Sequence, residues 1–553
     1  MTPDSADPFE QLEQAWAAYR SGRGADARRY CTQLLGSANP PPSALHLMVR
    51  LRLDAGDTDQ ALSLLRQAID LAPQSTEFIC DLAFIQLQLG QTEKAAELFQ
   101  QALNITPQIL PARLQLASIH HLNDHPDKAL NHYMLALKLA PDLAELHCQI
   151  GVCEFQLGHL NAARGWFQSC LELESGHLDC LENLARNELE AREFTSAYQV
   201  LEQLLSLAPE RSEAHHLLGF VFLHLGDITN ASGSFLNPVR TRFALGGPGG
   251  EEPADALQVT HTKLRHDLEQ LEYLNEQNLL TAERFNLLEQ YRQALALLPP
   301  PTPQHFFYSC PQIPLFNEYY NRLLEDFRPA RISGTALNPD LDHAAIEDTF
   351  QSQGWVYFDD FLNPQALAGL QEFCLRSSLW FEKKFQFEVG ASLRNGFCCP
   401  LLLQIGQELR DYFPHIFGPH LFSGCFSYKY YQQGVDGHVH ADRGAVSLNF
   451  WTTPDEANLD PARGGLVIWN KRVPKEYFHA SPERIDRIHA ELIAAADAVP
   501  ATITYRCNRA MLFHSDVLHR SDQMQFKDHY SHRRVSITYL YGKPGDIDTP
   551  SLG

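Results

Sequence analysis

The stretch Gly437-His438-Val439-His440-Ala441-Asp442 decides how the C-terminal half of this chain is read, together with Phe513-His514-Ser515-Asp516-Val517-Leu518-His519 and Arg534-Val535-Ser536. The first holds a His-x-Asp pair and the second a later histidine. On an extended strand, side chains at i and i+2 point to the same side, so His440 and Asp442 can reach one ion. His519 completes a set of two imidazoles and one carboxylate. Such donors occupy one face of an octahedral metal, typically ferrous iron, and leave the opposite positions open. Arg534 and Ser536 share a face by the same spacing. A guanidinium beside a hydroxyl suits a carboxylate, because the planar fork can engage both oxygens.

His-x-Asp by itself is weak, since it occurs four times. His125-Pro126-Asp127 and His177-Leu178-Asp179 fall near expected helix ends, where Asp serves as a cap. His514-Ser515-Asp516 lies beside His519 and competes with it. His438 competes with His440 from the same strand face, but only His440 has a carboxylate two residues on.

From about Gly354 to Gly542 the chain resembles a 2-oxoglutarate/Fe(II)-dependent dioxygenase of the prolyl-hydroxylase-like kind. The residues that carry the resemblance are Gly354-Trp355-Val356-Tyr357-Phe358-Asp359-Asp360-Phe361-Leu362, Tyr430 ten residues before His440, Gly464-Gly465-Leu466-Val467-Ile468-Trp469, the Phe513 to His519 run, and Arg534-Val535-Ser536-Ile537-Thr538. It implies that His440, Asp442 and His519 are the catalytic metal ligands. It implies that Arg534 with Ser536 binds the distal carboxylate of 2-oxoglutarate, and that Tyr430 lines the same pocket. The implied cofactors are Fe(II) and 2-oxoglutarate as cosubstrate, with O2 as co-reactant and ascorbate as an accessory reductant. The carboxylate ligand implies hydroxylation rather than halogenation. It also separates the chain from aspartyl/asparaginyl β-hydroxylases, which lack that ligand.

Two intervals depart from the resemblance. His440 to His519 is long, which a helical insertion from Lys471 to Pro500 explains. His519 to Arg534 is also long and leaves Arg533 as a competitor; the Arg-x-Ser pair and the Ile537-Thr538-Tyr539-Leu540 strand favour Arg534.

Upstream, small residues recur every 34 residues. Gly22, Gly56, Gly90, Gly158 and Gly226 lie on that grid, as do Ala27, Ala61, Ala95, Ala129, Ala163, Ala197 and Ala231. Bulky residues follow at Leu65, Phe99, Tyr133, Phe167, Leu201 and Phe235, and Pro73, Pro107, Pro141 and Pro209 close successive units. Period and pattern resemble the tetratricopeptide repeat, which implies a superhelical solenoid with a concave groove for a protein or peptide. Gly in the first helix and Ala in the second are read as points of close helix approach. The seventh repeat is expected to break at Pro238, followed by a Gly246-to-Pro253 linker. Two Leu-rich helical segments then read as a cap on the solenoid or as a dimer seam.

The expected fold class is therefore multidomain. An all-α repeat solenoid spans 8–240, with about seven repeats; a helical capping or linker segment spans 254–298; an α+β double-stranded β-helix, jelly-roll and cupin-like, spans 304–553. Strands are expected at 355–361, 424–431, 445–452, 465–469, 501–505, 509–513 and 533–541, and helices at 343–353 and 364–376.

Bulk properties limit the alternatives. The formal charge of −23 argues against nucleic acid, whose phosphates would repel this surface. The twelve cysteines, Cys310 among them, form no CxxC pair and suit a reducing compartment. The acidic Met1-to-Asp7 start is no signal peptide, and no apolar run is long enough to span a bilayer, so a cytoplasmic, membrane-free protein is expected. The expected function is hydroxylation of a C–H bond in a protein or peptide recruited by the groove. The alternatives are a small metabolite or natural product as substrate, or a repeat scaffold carrying an inactive domain. Oligomeric state has no signature in the sequence.

Overall fold

A left-handed backbone residue ends the first helix of each repeat. Gly22, Gly56, Gly90 and Gly158 have φ between +73° and +80°, and Asp124 adopts +57° at the same grid position. A Cβ built on any of these four glycines meets nothing within 4 Å. They are therefore conformational, supplying the αL turn that L-residues resist, and are not points of close helix approach as expected from the sequence. Close approach occurs instead at Ala83, Ala117 and Gly151, each twelve residues before a grid alanine. At Gly151 an added Cβ would stand 2.6 Å from the Phe167 ring.

The computed structural model describes residues 8–36, 40–243, 258–280, 285–302, 306–309, 311, 313–382, 387–431, 433–434 and 436–544. The Met1–Asp7 start, the Gly246–Pro253 linker and Cys310 lie outside the described residues. The chain divides into two compact units, Met1–Asn187 and Glu188–Gly553. In the first unit, helix pairs succeed one another: Pro8–Arg20 with Gly24–Leu35, Pro42–Asp54 with Thr58–Leu71, Thr76–Gln88 with Thr92–Ile105, Leu110–Leu122 with Pro126–Leu137, and Ala144–Gln156 with Leu160–Leu173. Ala27, Ala61, Ala95, Ala129 and Ala163 are fully buried in the second helices, beside buried Leu65, Phe99, Tyr133 and Phe167. No single pair can bury its apolar face, so stability comes from stacking. Asp127 and Asp179 sit in first helical turns, where their charge favours the helix N-terminus, rather than at the caps expected.

The second unit begins inside the repeat pattern. Helices Phe194–Leu207, Ser212–His224 and Ile228–Phe243 continue it, yet Phe220, Leu223, Phe235 and Leu236 share one core with Leu401, Phe422 and Tyr539. The Phe220 and Phe422 rings are 6.0 Å apart, and Arg394 pairs with Glu213 at 2.8 Å. The break expected at Pro238 does not occur; Ile228–Phe243 runs through it. Buried Leu236 and Val239 explain this. Val239 packs on Gly396, where an added Cβ would lie 2.8 Å away, and that packing outweighs the lost helix hydrogen bond. Helix His261–Glu276 has its own apolar cluster, with Leu264 and Leu271 packed among Leu287, Tyr291 and Phe316, and is tied to the C-terminal part by polar bonds. Gln270 donates to the Ser377 carbonyl at 3.0 Å, and Glu269 pairs with Arg533 at 2.8 Å. The helices expected as a solenoid cap or dimer seam thus pack on the C-terminal unit.

The strands are β1 Gln258–Val259, β2 Tyr308–Ser309, β3 Trp355–Phe358, β4 Glu388–Ser392, β5 Phe422–Tyr430, β6 Val446–Trp451, β7 Leu466–Arg472, β8 Pro500–Ile503, β9 Ala510–His514, β10 Val517–Ser521 and β11 Val535–Tyr541. They form antiparallel sheets of order β3-β9-β6-β11-β5-β4 and β10-β7-β8, plus the β1-β2 pair. Strand β4 and helix Pro400–Tyr412 are absent from the sequence reading. β4 is Gly-containing and short, and the helix's Leu-rich start has no clean period. Helices His343–Gln353 and Pro364–Arg376 fall where expected. Among the described residues no helix is long and apolar enough to cross a membrane. The described cysteines are free, and all but Cys507 are buried.

Two buried histidines of the second unit, His216 and His514, and the half-buried His224 make its stability pH-dependent. Burial pushes His216 down to about 4, His224 down to about 3 and His514 down to about 4, each helped by a nearby arginine. Their folded values lie below the ordinary 6.5, so the unfolded chain binds more protons between them. Stability is full above about pH 6.5 and falls as pH drops toward about 4. Calorimetry should show the second unit melting lower at about pH 5 than at about pH 7.5, by on the order of 1 kcal/mol per histidine.

Candidate metal centre

His440, Asp442 and His519 are brought together: one ligand atom from each lies within 4.8 Å of the others. His440 Nε2 is 3.9 Å from Asp442 Oδ1, and His519 Nε2 is 3.8 Å from Asp442 Oδ2. The imidazole centroids are 4.3 Å apart. Two backbone hydrogen bonds align them, from the His440 N–H to the His519 carbonyl at 2.9 Å and from the His519 N–H to the His440 carbonyl at 3.0 Å. Each ring also binds its own backbone. His440 Nδ1 is 2.9 Å from the His438 carbonyl, and His519 Nδ1 is 3.0 Å from that of Val517. Carbonyls only accept, so both Nδ1 atoms carry the proton and both Nε2 lone pairs are free for a metal. Burial pushes His519 well below its ordinary range, with His440 adding to the shift against Asp442.

The strand expected to carry His440 and Asp442 is not formed. β6 begins only at Val446, and His440 pairs with His519 as an isolated bridge. The reason lies at Asp442, whose N–H donates to the Ser515 carbonyl at 2.7 Å, in the turn joining β9 to β10. That bond turns the chain out of the ladder and brings the carboxylate inward. Ser447 Oγ donates to Asp442 Oδ2 at 2.7 Å and lies 2.8 Å from Ser515 Oγ. Ser515 belongs to the Phe513–His519 run quoted above, but Ser447 does not stand out in the sequence; only the fold brings both to the carboxylate.

The competitors separate cleanly. His514 packs against Phe350, with ring centroids 4.6 Å apart, and Asp516 is held by Arg472 at 2.7 Å. His438 lines the cavity, and its carbonyl orients His440. Arg533 is held by Glu269 at 2.8 Å and Asp528 at 2.5 Å, and its guanidinium lies 4.5 Å from the Tyr431 ring. Arg534 is only 1 % exposed. Its Nε donates to the Gly464 carbonyl at 2.7 Å and its Nη2 to that of Gly465 at 3.2 Å, while buried Nη1 has no partner among the described residues. The guanidinium sits 4.8 Å from the Tyr430 ring and 5.5 Å from Trp451. The paired glycines have a steric role as well: a Cβ on Gly465 would fall 1.9 Å from the Ile503 carbonyl across β7-β8.

A cavity of about 470 Å³ opens onto the triad, within the size range of small-molecule sites. Tyr430 and Ser536 line it, with Tyr428, Asn449, Leu466 and Met524. Arg534 stands behind Tyr430. Burial raises the Tyr430 hydroxyl, with Glu388 adding to the shift and Arg534 opposing it. The sequence reading missed Trp451 and Asn449. Trp451 is 0 % exposed and its Nε1 has no partner; Asn449 lines the cavity with an unpartnered, buried Oδ1. Both lie on β6 in a pattern that reads as ordinary apolar strand.

Compared with known proteins, the chain matches the tetratricopeptide repeat family at residues 52–119, 110–143 and 183–236. Its N-terminal part therefore carries tetratricopeptide repeats. Among solved structures it is similar to YrrB, a TPR protein with an unusual peptide-binding site, at 18% identity, covering 34% of this chain and 96% of that one, with TM-score 0.32. It is similar to the MamA protein at 18% identity, covering 30% and 92%, with TM-score 0.29. A tetratricopeptide repeat protein from Parabacteroides merdae is 15% identical, covering 42% and 91%, with TM-score 0.32. No curated protein matches the chain.

The Ser447 hydroxyl, itself 2.8 Å from Ser515 Oγ, orients the Asp442 carboxylate. Ser447→Ala should weaken Mn(II) or Co(II) binding by about tenfold, read by equilibrium titration, with the circular dichroism spectrum unchanged.

Proposed function

We propose that this protein is a 2-oxoglutarate- and Fe(II)-dependent dioxygenase that hydroxylates a C–H bond of a protein or peptide recruited by its repeats. The observation that carries the reading is the convergence of His440, Asp442 and His519 on one point, with both imidazole Nε2 atoms free. In this reading the six-stranded and three-stranded sheets are the two walls of a double-stranded β-helix, and the triad lies where the segment before β6 meets β10.

The residues present fit the two absent groups. His440, Asp442 and His519 would hold ferrous iron on one face of its coordination sphere. The unpartnered Nη1 of Arg534 and Nε1 of Trp451 are buried donors, costly unless an acceptor meets them. The distal carboxylate of 2-oxoglutarate is such an acceptor, with Ser536 and the Tyr430 hydroxyl beside it. Bound together, iron and 2-oxoglutarate supply the coupling of O2 reduction and decarboxylation to succinate and CO2 with insertion of one oxygen atom into substrate. The protein orients and shields. Gly464 and Gly465 carbonyls fix the Arg534 fork, Tyr430 and Trp451 flank its plane, and Leu466 and Met524 keep water from the cavity wall.

The partner assignment rests on the repeats, whose stacking leaves a continuous surface for an extended protein segment. Removing the repeats as a test requires a cut ahead of Glu188, because the helices from Phe194 to Phe243 share the C-terminal core.

Purified full-length protein supplied with Fe(II), 2-oxoglutarate and ascorbate should release succinate even without substrate, and Asp442→Ala should abolish the release. Arg534→Met should raise the apparent KM for 2-oxoglutarate roughly tenfold to a hundredfold, the worth of a lost charge-assisted hydrogen bond. Proteomic mass spectrometry comparing cells that express wild type with cells that express His440→Ala should show a lost single-oxygen mark on a protein. Wild-type protein that binds neither metal nor 2-oxoglutarate would leave the scaffold reading in its place.

A further inference from the structure

The segment between β7 and β8 takes no part in the site described above, yet it is built against it. It comprises a 3-10 turn Lys475–His479 and the helix Pro482–Ala494. Its base is closed on β7: Asn470 Nδ2 donates to the Asp497 carbonyl at 3.0 Å, the Val499 N–H donates to Asn470 Oδ1 at 2.8 Å, and Lys471 pairs with Asp497 at 2.5 Å. Its inner face carries buried Tyr477, Phe478 and Ile488.

What that face covers is specific. Tyr477, Phe478 and Ile488 form one apolar cluster with Ala441 and Leu518, and Val439 packs against it. Ala441 stands between the ligands His440 and Asp442, and Leu518 immediately precedes His519. In extended backbone, neighbours point to opposite sides, so these are the residues whose side chains leave the metal side. The insertion therefore buries the reverse face of both ligand-bearing segments. Polar bonds fix the contact. Arg443 Nη2 donates to the Phe478 carbonyl at 3.1 Å. The Tyr477 hydroxyl lies 2.9 Å from His489 Nε2 and so ties the 3-10 turn to the helix.

This contact matters because the liganding segment has little other support. Residues 437–443 form no regular strand; the Gly437-to-Ser521 bond, the bridge to His519 and the Asp442-to-Ser515 bond tie its backbone to the β10 side.

We infer that the insertion is the outer wall of the metal centre and that Tyr477 is a positioning residue: packed in one cluster with Ala441 and Leu518 and anchored to the helix by its bond to His489, it holds His440 and Asp442 in register with His519. The inference rests on the metal-centre reading. Metal sites lose about ten- to a hundredfold in affinity when such outer partners are removed.

The test is Co(II) titration of the full-length protein followed by its visible spectrum, for wild type, Tyr477→Phe, Ile488→Ala and Arg487→Ala. Arg487 is exposed on the outer side of the same helix and serves as the control. Tyr477→Phe should bind Co(II) about tenfold more weakly with an altered ligand-field spectrum and an unchanged circular dichroism spectrum, and Arg487→Ala should match wild type. Ile488→Ala loosens the same wall without touching the hydroxyl and should shift the spectrum in the same direction, so the inference stays testable if Tyr477→Phe fails to fold. Wild-type affinity and spectrum in the folded variants overturn the inference alone. A wild-type protein that does not bind Co(II) overturns the metal-centre reading and the inference with it.

Discussion

The reciprocal pair of backbone hydrogen bonds between His440 and His519 is the constraint on which the candidate site depends. It is an isolated bridge rather than part of a sheet, and it joins two segments far apart in sequence. Everything chemical follows from it. Once the two residues face each other, their rings fall 4.3 Å apart, and carbonyls two residues upstream accept hydrogen bonds from both Nδ1–H groups, leaving the Nε2 lone pairs free. Asp442 then reaches the same point because its own amide is pulled toward Ser515. Three side chains meet through three backbone contacts, which is an economical way to preorganise donors.

The Arg534 corner behind Tyr430 follows a different logic, in which unsatisfied polarity is informative. Arg534 is buried between two aromatic rings, with two of its nitrogens spent on the carbonyls of Gly464 and Gly465. Those carbonyls stand where they do because Gly465 admits no side chain and Gly464 adopts φ +86°. The glycine pair thus serves strand approach and guanidinium placement at once. The remaining Nη1, together with the Trp451 indole N–H, has no partner among the described residues. Buried donors of this kind are rare in folded proteins, and they are what an acidic ligand would complete.

The repeats and the C-terminal sheets are not divided where their sequence patterns change. The 34-residue grid runs on to Ala231, but the compact units part between Asn187 and Glu188. The last repeat helices gave up an independent core for one shared with Leu401, Phe422 and Tyr539. Pro238 stays inside its helix for the same reason, since Val239 and Leu236 are worth more buried than the missing hydrogen bond costs.

Periodicity and local chemistry were legible in the sequence. The buried alanines, the bulky residues that follow them, the positions of most strands and the identity of the three converging side chains come from spacing and residue type, because helices and strands impose fixed repeats on whatever must be buried. The choice of Arg534 over Arg533 was already favoured by the adjacent Ser536. Tertiary structure alone decided the rest. It turned the grid glycines from packing points into left-handed turns, carried helix His261–Glu276 onto the C-terminal unit, and set Ser447, Ser515, Trp451 and Asn449 around the site. These depend on contacts between residues distant in the chain. A single sequence records which side chains want burial, but not which distant partner provides it.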